Sequence, residues 1–506
     1  MRKKKNPSGV VSVQVIDKSS GKYKVLKTIG SSAIISEINS LLLEAEHWVK
    51  QQTGVQEFDF TDYQTHTDLV LEGIDQITVV GPELFLGKLF DEIGFSQIQD
   101  ELFRKLVIAR LCFPASKLKT TDYLSKYQFF DVDVQKVYRY LDKLNKNQKE
   151  HIQQISYEHT LTILQGRISA VFYDVTTLYF EIDKEDELRK RGFSKEGKHQ
   201  NPQVVLGLLV SRGGYPLAYD IFKGNQFEGH TMLPILESFK KKYKLDQLIV
   251  VADAGLLSKD NIRKLRDNGY EYVLGARIKT EKDTVKKKIL ALELKNGESA
   301  LIEKDKNTKL IITYSDIRAK KDAKNRERGL ERLIKKIKSG KLTKQSINNK
   351  GYNKFLQLEG EVQISIDKQK IEKDKQWDGL KGYYTNTTLD NKEVIAHYRD
   401  LWQIEKAFRV SKSDLGIRPI YHRLSRRIEA HVCIAFTAYK IYMELDRQLK
   451  EKKSELSPEK AIDIAKTIFQ IKIIHPLTKK VTFKTFIKTK QQKDLNEMFN
   501  LIRVSQ

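Results

Sequence analysis

Three acidic residues lie where an ionised carboxylate needs a reason. Asp174 sits inside Ile168-Ser-Ala-Val-Phe-Tyr-Asp-Val-Thr-Thr-Leu-Tyr-Phe-Glu181, a run otherwise rich in apolar, β-branched and aromatic side chains. A lone carboxylate there is costly without a partner. Asp253 ends the run Val250-Val251-Ala252, at the strand terminus where catalytic groups commonly collect in α/β sheets. Gly255 follows and permits a sharp turn. Glu405 belongs to a helical segment with two stripes. Leu401, Ile404 and Phe408 make a core stripe, and Tyr398, Trp402, Glu405, Arg409 and Lys412 run beside it along one face. Aromatic and cationic side chains at that spacing suit stacked bases and phosphates. Taken singly, each acid has an ordinary explanation: an edge aspartate facing water, a loop aspartate leading into a helix, and a half-exposed face with internal Glu–Arg pairing. Together they describe two strand-borne aspartates and one helix-borne glutamate converging at one edge of a mixed sheet. Three such carboxylates repel unless a cation joins them. Oxygen ligands select a hard ion such as magnesium. Two ions about 3.5–4 Å apart would activate an attacking oxygen and stabilise a leaving one.

The elements that must carry these residues can be read from periodicity. Ile168–Glu181, Gln203–Val210 and Tyr215–Phe222 read as strands, the last two joined by the turn Ser211-Arg-Gly-Gly214. Thr231–Tyr243 is an amphipathic helix and Gln247–Ala252 a short strand apolar on both faces. Ser258 caps a helix through Arg266, and Tyr270–Ala276 is a further strand. The order β-β-β-α-β-α-β predicts a mixed sheet with helices on both faces. A long helix is expected over Lys392–Asp414 and another over Ser425–Leu449. Around this core the chain divides into six segments. Residues 1–60 are a small β unit plus a helix, and 61–165 a helical segment suited to DNA binding, with packing or dimerisation as the alternative. Residues 166–279 are the first part of the catalytic core, and 280–378 an inserted β-rich basic domain. That insert has strands at Leu310–Tyr314 and Val362–Ile366 and a basic helix over Arg318–Lys344. Residues 379–450 are the second part of the core, and 451–506 an α/β tail with a helix over Pro458–Phe469.

Composition narrows the partner. The chain has 506 residues and a net charge of +25, with Lys+Arg 91 against Asp+Glu 66. Such an excess favours a polyanion, with nucleic acid the usual one, although solvated lysine faces give the same balance. Apolar residues at 40% allow a real core, which excludes a disordered polycation. Two cysteines, Cys112 and Cys433, are too few for a multi-cysteine zinc site and read as buried thiols. The basic start MRKKKNPSG is followed by no long apolar run, and no stretch reaches the length of a membrane span. A soluble cytoplasmic protein, nucleoid-associated when on DNA, is the expectation.

With these features in place, the sequence resembles a DDE insertion-sequence transposase of the retroviral integrase superfamily, with an RNase H-like core. It is most similar to the branch carrying a Y-x2-R-x3-E-x6-K signature and a β-rich insertion before the glutamate. The resemblance spans about residues 80 to 450. It rests on Phe172–Glu181, on Val251-Ala-Asp-Ala-Gly-Leu-Leu-Ser258, and on Tyr398-Arg-Asp-Leu-Trp-Gln-Ile-Glu-Lys-Ala-Phe-Arg-Val-Ser-Lys412. It implies that Asp174, Asp253 and Glu405 bind two Mg2+ ions, for which Mn2+ can substitute. It implies metal-dependent cleavage of element ends and strand transfer into target DNA by direct phosphoryl transfer. Tyr398 and Lys412 match the signature tyrosine and lysine, which contact transposon-end phosphates. The signature arginine is replaced by Leu401, with Arg399 and Arg409 near but not at that position. Trp377 matches an insertion tryptophan that stacks on a flipped base in related enzymes, although a domain-edge tryptophan also serves packing. Trp402, Lys198, His199, Arg423, Arg426 and Arg427 are further candidate DNA contacts, with solvated side chains as the alternative. The partners implied are double-stranded DNA and a second copy of the chain. Two rivals share these residues: a nuclease or resolvase that cuts without joining, and a catalytically idle DNA-binding derivative.

Overall fold

The computed structural model describes residues 1–53, 63–144, 146–194, 197–245, 248–256, 258–305, 307–340, 342, 346–348, 351–359, 363–476 and 478–502. Lys344, Gln247, Leu257 and Val362 of the sequence reading lie outside them.

The chain forms two compact units. The first comprises Met1–Val80 and Ile468–Lys490. Strands Arg2–Lys5, Val11–Asp17 and Lys24–Ser32 make an antiparallel sheet. Alternation along the middle strand aims Val13 and Val15 at Ile38 and Ala45 of the helix Ile35–Thr53. A second sheet pairs Ile74–Val79 with Phe469–Ile474, which pairs in turn with Val481–Phe486. The structure differs here from the periodicity in two places. Residues 74–79 form a strand within a segment expected to be helical, and Phe469 opens a strand where a helix was expected to end. The partners of these strands lie almost 400 residues apart, beyond the reach of any local pattern.

In the second unit a helical layer comes first, including α1 (Glu101–Cys112) and α2 (Lys117–Gln128). An eight-stranded sheet follows. Its strands are β1 (Ala170–Tyr179), β2 (Gln203–Ser211), β3 (Pro216–Lys223), β4 (Ile249–Ala252) and β5 (Glu271–Ala276). They continue with β6 (Ser299–Asp305), β7 (Thr308–Tyr314) and β8 (Leu380–Thr385). The spatial order is β6-β7-β8-β5-β4-β1-β2-β3. Strands β1–β2–β3 form an antiparallel meander, while β4 and β5 add in parallel beside β1. This is the expected RNase H-like mixed α/β core.

The region 280–378 behaves in two ways. Its strands β6 and β7 are hydrogen-bonded into the core sheet through β8. Its remainder is dominated by the basic helix α3 (Asp316–Lys338), packed through Leu333 on Phe355 and Leu356. Strand β8 has no counterpart in the sequence reading, although Leu380-Lys-Gly-Tyr-Tyr-Thr385 has strand chemistry.

After β8 come α4 (Asn391–Arg399), α5 (Trp402–Ser413) and α6 (Ser425–Glu451). The single long helix expected over Lys392–Asp414 is two helices. Between them the amides of Leu401, Gln403 and Ile404 bond three residues back, to Tyr398, Asp400 and Leu401. That tighter turn advances the chain by about 120° per residue instead of about 100°, so side chains before and after it do not share one face. The stripe from Tyr398 to Lys412 is therefore split. Tyr398 is buried with the core while Trp402, Glu405 and Arg409 are exposed. Helix α6 is apolar almost all round and correspondingly buried on nearly every side. Both cysteines are buried, which pushes each thiol up to about 12.

Candidate active site

Side chains alternate across a strand, and the alternation decides which face each acid shares. Phe172 and Val251 belong to the core on the α4–α5–α6 face of the sheet, and Val171 and Val250 to the opposite one. Asp174 and Asp253 are each two residues beyond Phe172 and Val251, so both fall on the α4–α6 face. Strands β1 and β4 run parallel, with Tyr173 opposite Ala252. One step on, Asp174 and Asp253 stand side by side, about 5 Å apart between backbones.

Helix α5 packs against β1 and brings Glu405 to this face. Gln403 accepts a hydrogen bond from the Gly213 amide in the β2–β3 turn at 2.7 Å, and Lys406 pairs with Asp446 of α6 at 3.0 Å. These ties fix the helix two residues before and one residue after Glu405. The glutamate itself is exposed, as is Asp253, while Asp174 is half-buried and bonds the Val175 amide. Gly255 is not forced by geometry. It lies outside the left-handed region, and a Cβ there would meet nothing within 4 Å.

Tyr398 is the most constrained residue of the site. Its hydroxyl donates to Asp253 Oδ1 at 2.6 Å. Its ring lies 4.8 Å from that of Tyr383 on β8. Burial, followed by the adjacent Asp253 carboxylate, holds the phenol well above its ordinary value, so it stays protonated and donates. One acceptor atom of Asp253 is thereby fixed in direction while Oδ2 remains.

A cation that no motif announced completes this edge. Lys381 lies two residues before Tyr383 on β8 and so faces the same side. Its Nζ stands 4.3 Å from the centre of the Tyr398 ring. Burial lowers its pKa, against the opposing pull of Asp253 and Glu405. Among the described residues no carboxylate comes within ion-pair distance of its ammonium group. The signal in the sequence was the strand pattern of Leu380–Thr385.

The remaining candidates are scattered. Leu401, at the signature arginine position, is buried at 7% exposure, so no cation enters from there. Arg399 and Arg409 are exposed, and Lys412 is half-buried. Trp402 is half-exposed to solvent. Trp377 packs its inner side on the opposite core and lines a cleft of about 590 Å3. Arg318, Arg326, Lys279, Lys354 and Lys381 share that cleft. Arg326 grips Asp378 with both terminal guanidinium nitrogens, which anchors the Trp377 turn to α3. Lys198 rests 5.5 Å over the Tyr179 ring, and His199 Nδ1 accepts from the Ser194 amide. Tyr179 is five residues along β1 from Asp174, about 17 Å away. Arg426 and Arg427 both bond Asp142, at 2.8 and 2.7 Å, so they begin as paired cations. Arg423 is exposed.

Two adjacent aspartates, a nearby glutamate and an uncommitted lysine, where the parallel ladder of β1 and β4 ends, make an edge suited to phosphoryl chemistry on a polyanion. The family model described as "Transposase DDE domain" matches residues 165–441. The chain belongs to the DDE transposase family. It is thus a DNA transposase, a DNA-cleaving and strand-transferring enzyme of a family that uses divalent metal ions. Among solved structures the transposase is similar to the piggyBac transposase synaptic complex with hairpin DNA. The TM-score is 0.39 at 8% identity, covering 79% of this chain and 79% of that one. It is also similar to the Mos1 transposase paired-end complex with left transposon end, with a TM-score of 0.16 at 13% identity over 31% of this chain and 53% of that one. At these scores neither likeness bears on its fold or activity. No curated protein matches it.

The donor set fits a hard divalent ion, since all three candidate side chains offer carboxylate oxygens and two are neighbours by register. Among the described residues, no three His, Cys, Asp or Glu side chains are already gathered tightly enough to hold one. Glu405 is the member with freedom to move, being exposed on a helix fixed at either side.

Proposed function

We propose that Asp174, Asp253 and Glu405 are the catalytic carboxylates, that they hold two Mg2+ ions or Mn2+ in their place, and that the chain moves an insertion sequence by direct phosphoryl transfer on DNA. The observation that carries this reading is the register of β1 and β4, which sets Asp174 beside Asp253 on the face carrying Glu405. The metal ions would stabilise charge on the attacking and leaving oxygens. The chain's own residues bind and orient. Tyr398 holds the direction of Asp253 Oδ1, and Lys381 supplies the cation that Leu401 does not.

A water oxygen attacks phosphorus at the element end, the bond to the 3′-oxygen breaks, and that oxygen leaves protonated. The resulting 3′-hydroxyl attacks a phosphodiester of target DNA and displaces its own 3′-oxygen. Positioning and charge stabilisation supply most of the acceleration. On this reading the chain is of the YREK-signature branch, which the match of Tyr398 and Lys412 supports, with Trp377, Arg399, Trp402, Arg409 and Arg423 contacting DNA around the site. Residues 61–165 would read the element ends, and a homodimer would pair two of them.

The test uses the full chain with a duplex carrying the DNA that flanks its gene. Wild type should nick it only with Mg2+ or Mn2+. A pre-cut end should join to a target duplex. Nicking without joining would replace this reading with a nuclease. DNA binding without nicking in either metal would replace it with an idle derivative.

A further inference from the structure

On the helical side of the second unit, away from the acids, a cavity of about 240 Å3 opens between the start of α2 and the loop 416–422. It greatly exceeds the roughly 30 Å3 share of one water molecule. Its charged lining is entirely basic. Arg110, Lys117 and Arg418 line it with His422, Ser116 and Tyr138, and no lining side chain is acidic.

Two of these cations are deeply buried: Arg110 is 5% exposed and Lys117 6%. Arg110 Nη1 reaches only backbone carbonyls, those of Gly416 at 3.2 Å and Leu415 at 3.4 Å. The Lys117 ammonium has no hydrogen-bond or ion-pair partner among the described residues. Among the described residues no carboxylate forms an ion pair with either cation. Lys117 is held well below its ordinary value, first by desolvation and then by Arg110 itself. The carboxylate that acts on His422 is Asp142, and Arg426 and Arg427 already pair with it.

Buried charges are ordinarily paired, because an unpaired one costs several kcal/mol. Here two like charges share a pocket with no acid. Lys117 is also the first residue of the 12-residue α2, capped by Ser116. The leading amides of a helix lack intrahelical acceptors and point at whatever occupies this end, where the helix dipole favours an anion. Gly416 closes the other wall. Its φ is +52°, and a Cβ there would press on Pro114 at 3.2 Å. The loop carbonyls that hold Arg110 thus depend on glycine at this position.

We infer that this pocket is a second, non-catalytic phosphate site, in which Lys117, Arg110 and the first amides of α2, ahead of the Lys119 amide that Ser116 caps, bind a phosphate group. The inference rests on the transposase reading only for its source. A DNA backbone phosphodiester is the occupant that reading supplies, and small free phosphate is the other source of the same chemistry.

The test uses the full chain, as wild type, Lys117→Met and Lys117→Gln, the second in case the first fails to fold. Thermal melting is followed with sodium phosphate against sodium chloride of equal ionic strength. Wild type should gain melting temperature with phosphate by mass action. The variants should begin at least as stable as wild type and gain nothing. Binding to a duplex oligonucleotide is then measured across salt concentrations. If DNA supplies the phosphate, the variants lose about 0.9 from the slope of log K against log salt. A phosphate gain with an unchanged DNA slope assigns the pocket to free phosphate and overturns the DNA source. Equal phosphate response and equal slopes in wild type and variants overturn the site. A wild type that binds DNA without nicking it defeats the catalytic reading alone, because these readouts need no cleavage.

Discussion

Gly275 tests the geometry of the active site without touching an acid. A Cβ at this position would lie 2.4 Å from the Tyr398 hydroxyl, 3.1 Å from its Cε2 and 3.0 Å from the Ala254 nitrogen. Ordinary contact begins near 3.5 Å, so the tyrosine must retreat by about 1 Å. It has little room, with the Tyr383 ring at 4.8 Å and the Lys381 ammonium 4.3 Å from its ring centre. A retreat of that size stretches the 2.6 Å bond to Asp253 to about 3.6 Å, beyond hydrogen-bonding reach. Overpacking in Gly275→Ala should cost about 1–3 kcal/mol of stability. A carboxylate misplaced by about 1 Å should slow metal-dependent nicking by about 100-fold. Tyr398→Phe removes only the hydroxyl. It forfeits a hydrogen bond to a charged group, about 1.5–3 kcal/mol, or roughly 10- to 150-fold in rate if that bond acts fully in the transition state. The double variant decides the mechanism. With the hydroxyl gone the closest clash disappears, so Gly275→Ala should cost less in the Tyr398→Phe background than in wild type, with a coupling of about 1 kcal/mol. Denaturant unfolding and single-turnover nicking of the four proteins measure both cycles. Wild-type nicking by Gly275→Ala, or an equal stability cost in both backgrounds, would refute the proposed link from β5 through Tyr398 to Asp253.

Asp174→Asn, Asp253→Asn and Glu405→Gln should each lower nicking by about 1000-fold or more while leaving DNA affinity within a few-fold; electrophoretic binding beside the cleavage assay separates the two. Lys381→Met should slow nicking by about 10-fold or more with an unchanged melting temperature, and Lys381→Arg should recover much of it, as expected for a charge facing phosphate. Buried Lys440 gives a pH signature. Its ammonium bonds the Ser156 carbonyl and Thr160 Oγ1, and burial lowers its pKa to about 7. Between about pH 7 and 10.5 the unfolded chain holds this proton and the folded chain does not, so stability from this group rises with pH. The penalty is complete below pH 7. Wild-type stability relative to Lys440→Met should therefore climb by about 1.4 kcal/mol per pH unit above 7, read from denaturation midpoints. His159 faces the same lysine but is pushed down to about 4 and stays neutral in this window. A flat difference curve would refute the assignment.

Short-range information in the sequence displayed the core strands and singled out the three candidate carboxylates. The apolar runs Ala170–Tyr179 and Ile249–Ala252, the Ser258 cap and the Ser211–Gly214 turn depend on neighbours a few residues away, so the local sequence displays them directly. The family resemblance rested on blocks of that kind. Tertiary structure decided what distant partners settle. The parallel register of β1 against β4 made Asp174 and Asp253 neighbours. The tight turn at Asp400–Leu401 turned Tyr398 inward and left Glu405 exposed. Strand β8 carried Lys381 to an edge where the signature offered only Leu401. The same limit concealed the basic pocket, because Arg110 and Lys117 meet a loop some 300 residues later in the chain. Local propensity fixes which way a side chain points along its own element. Which charge stands opposite it depends on packing between elements far apart in sequence, and at the proposed active site that packing brings the candidate groups together.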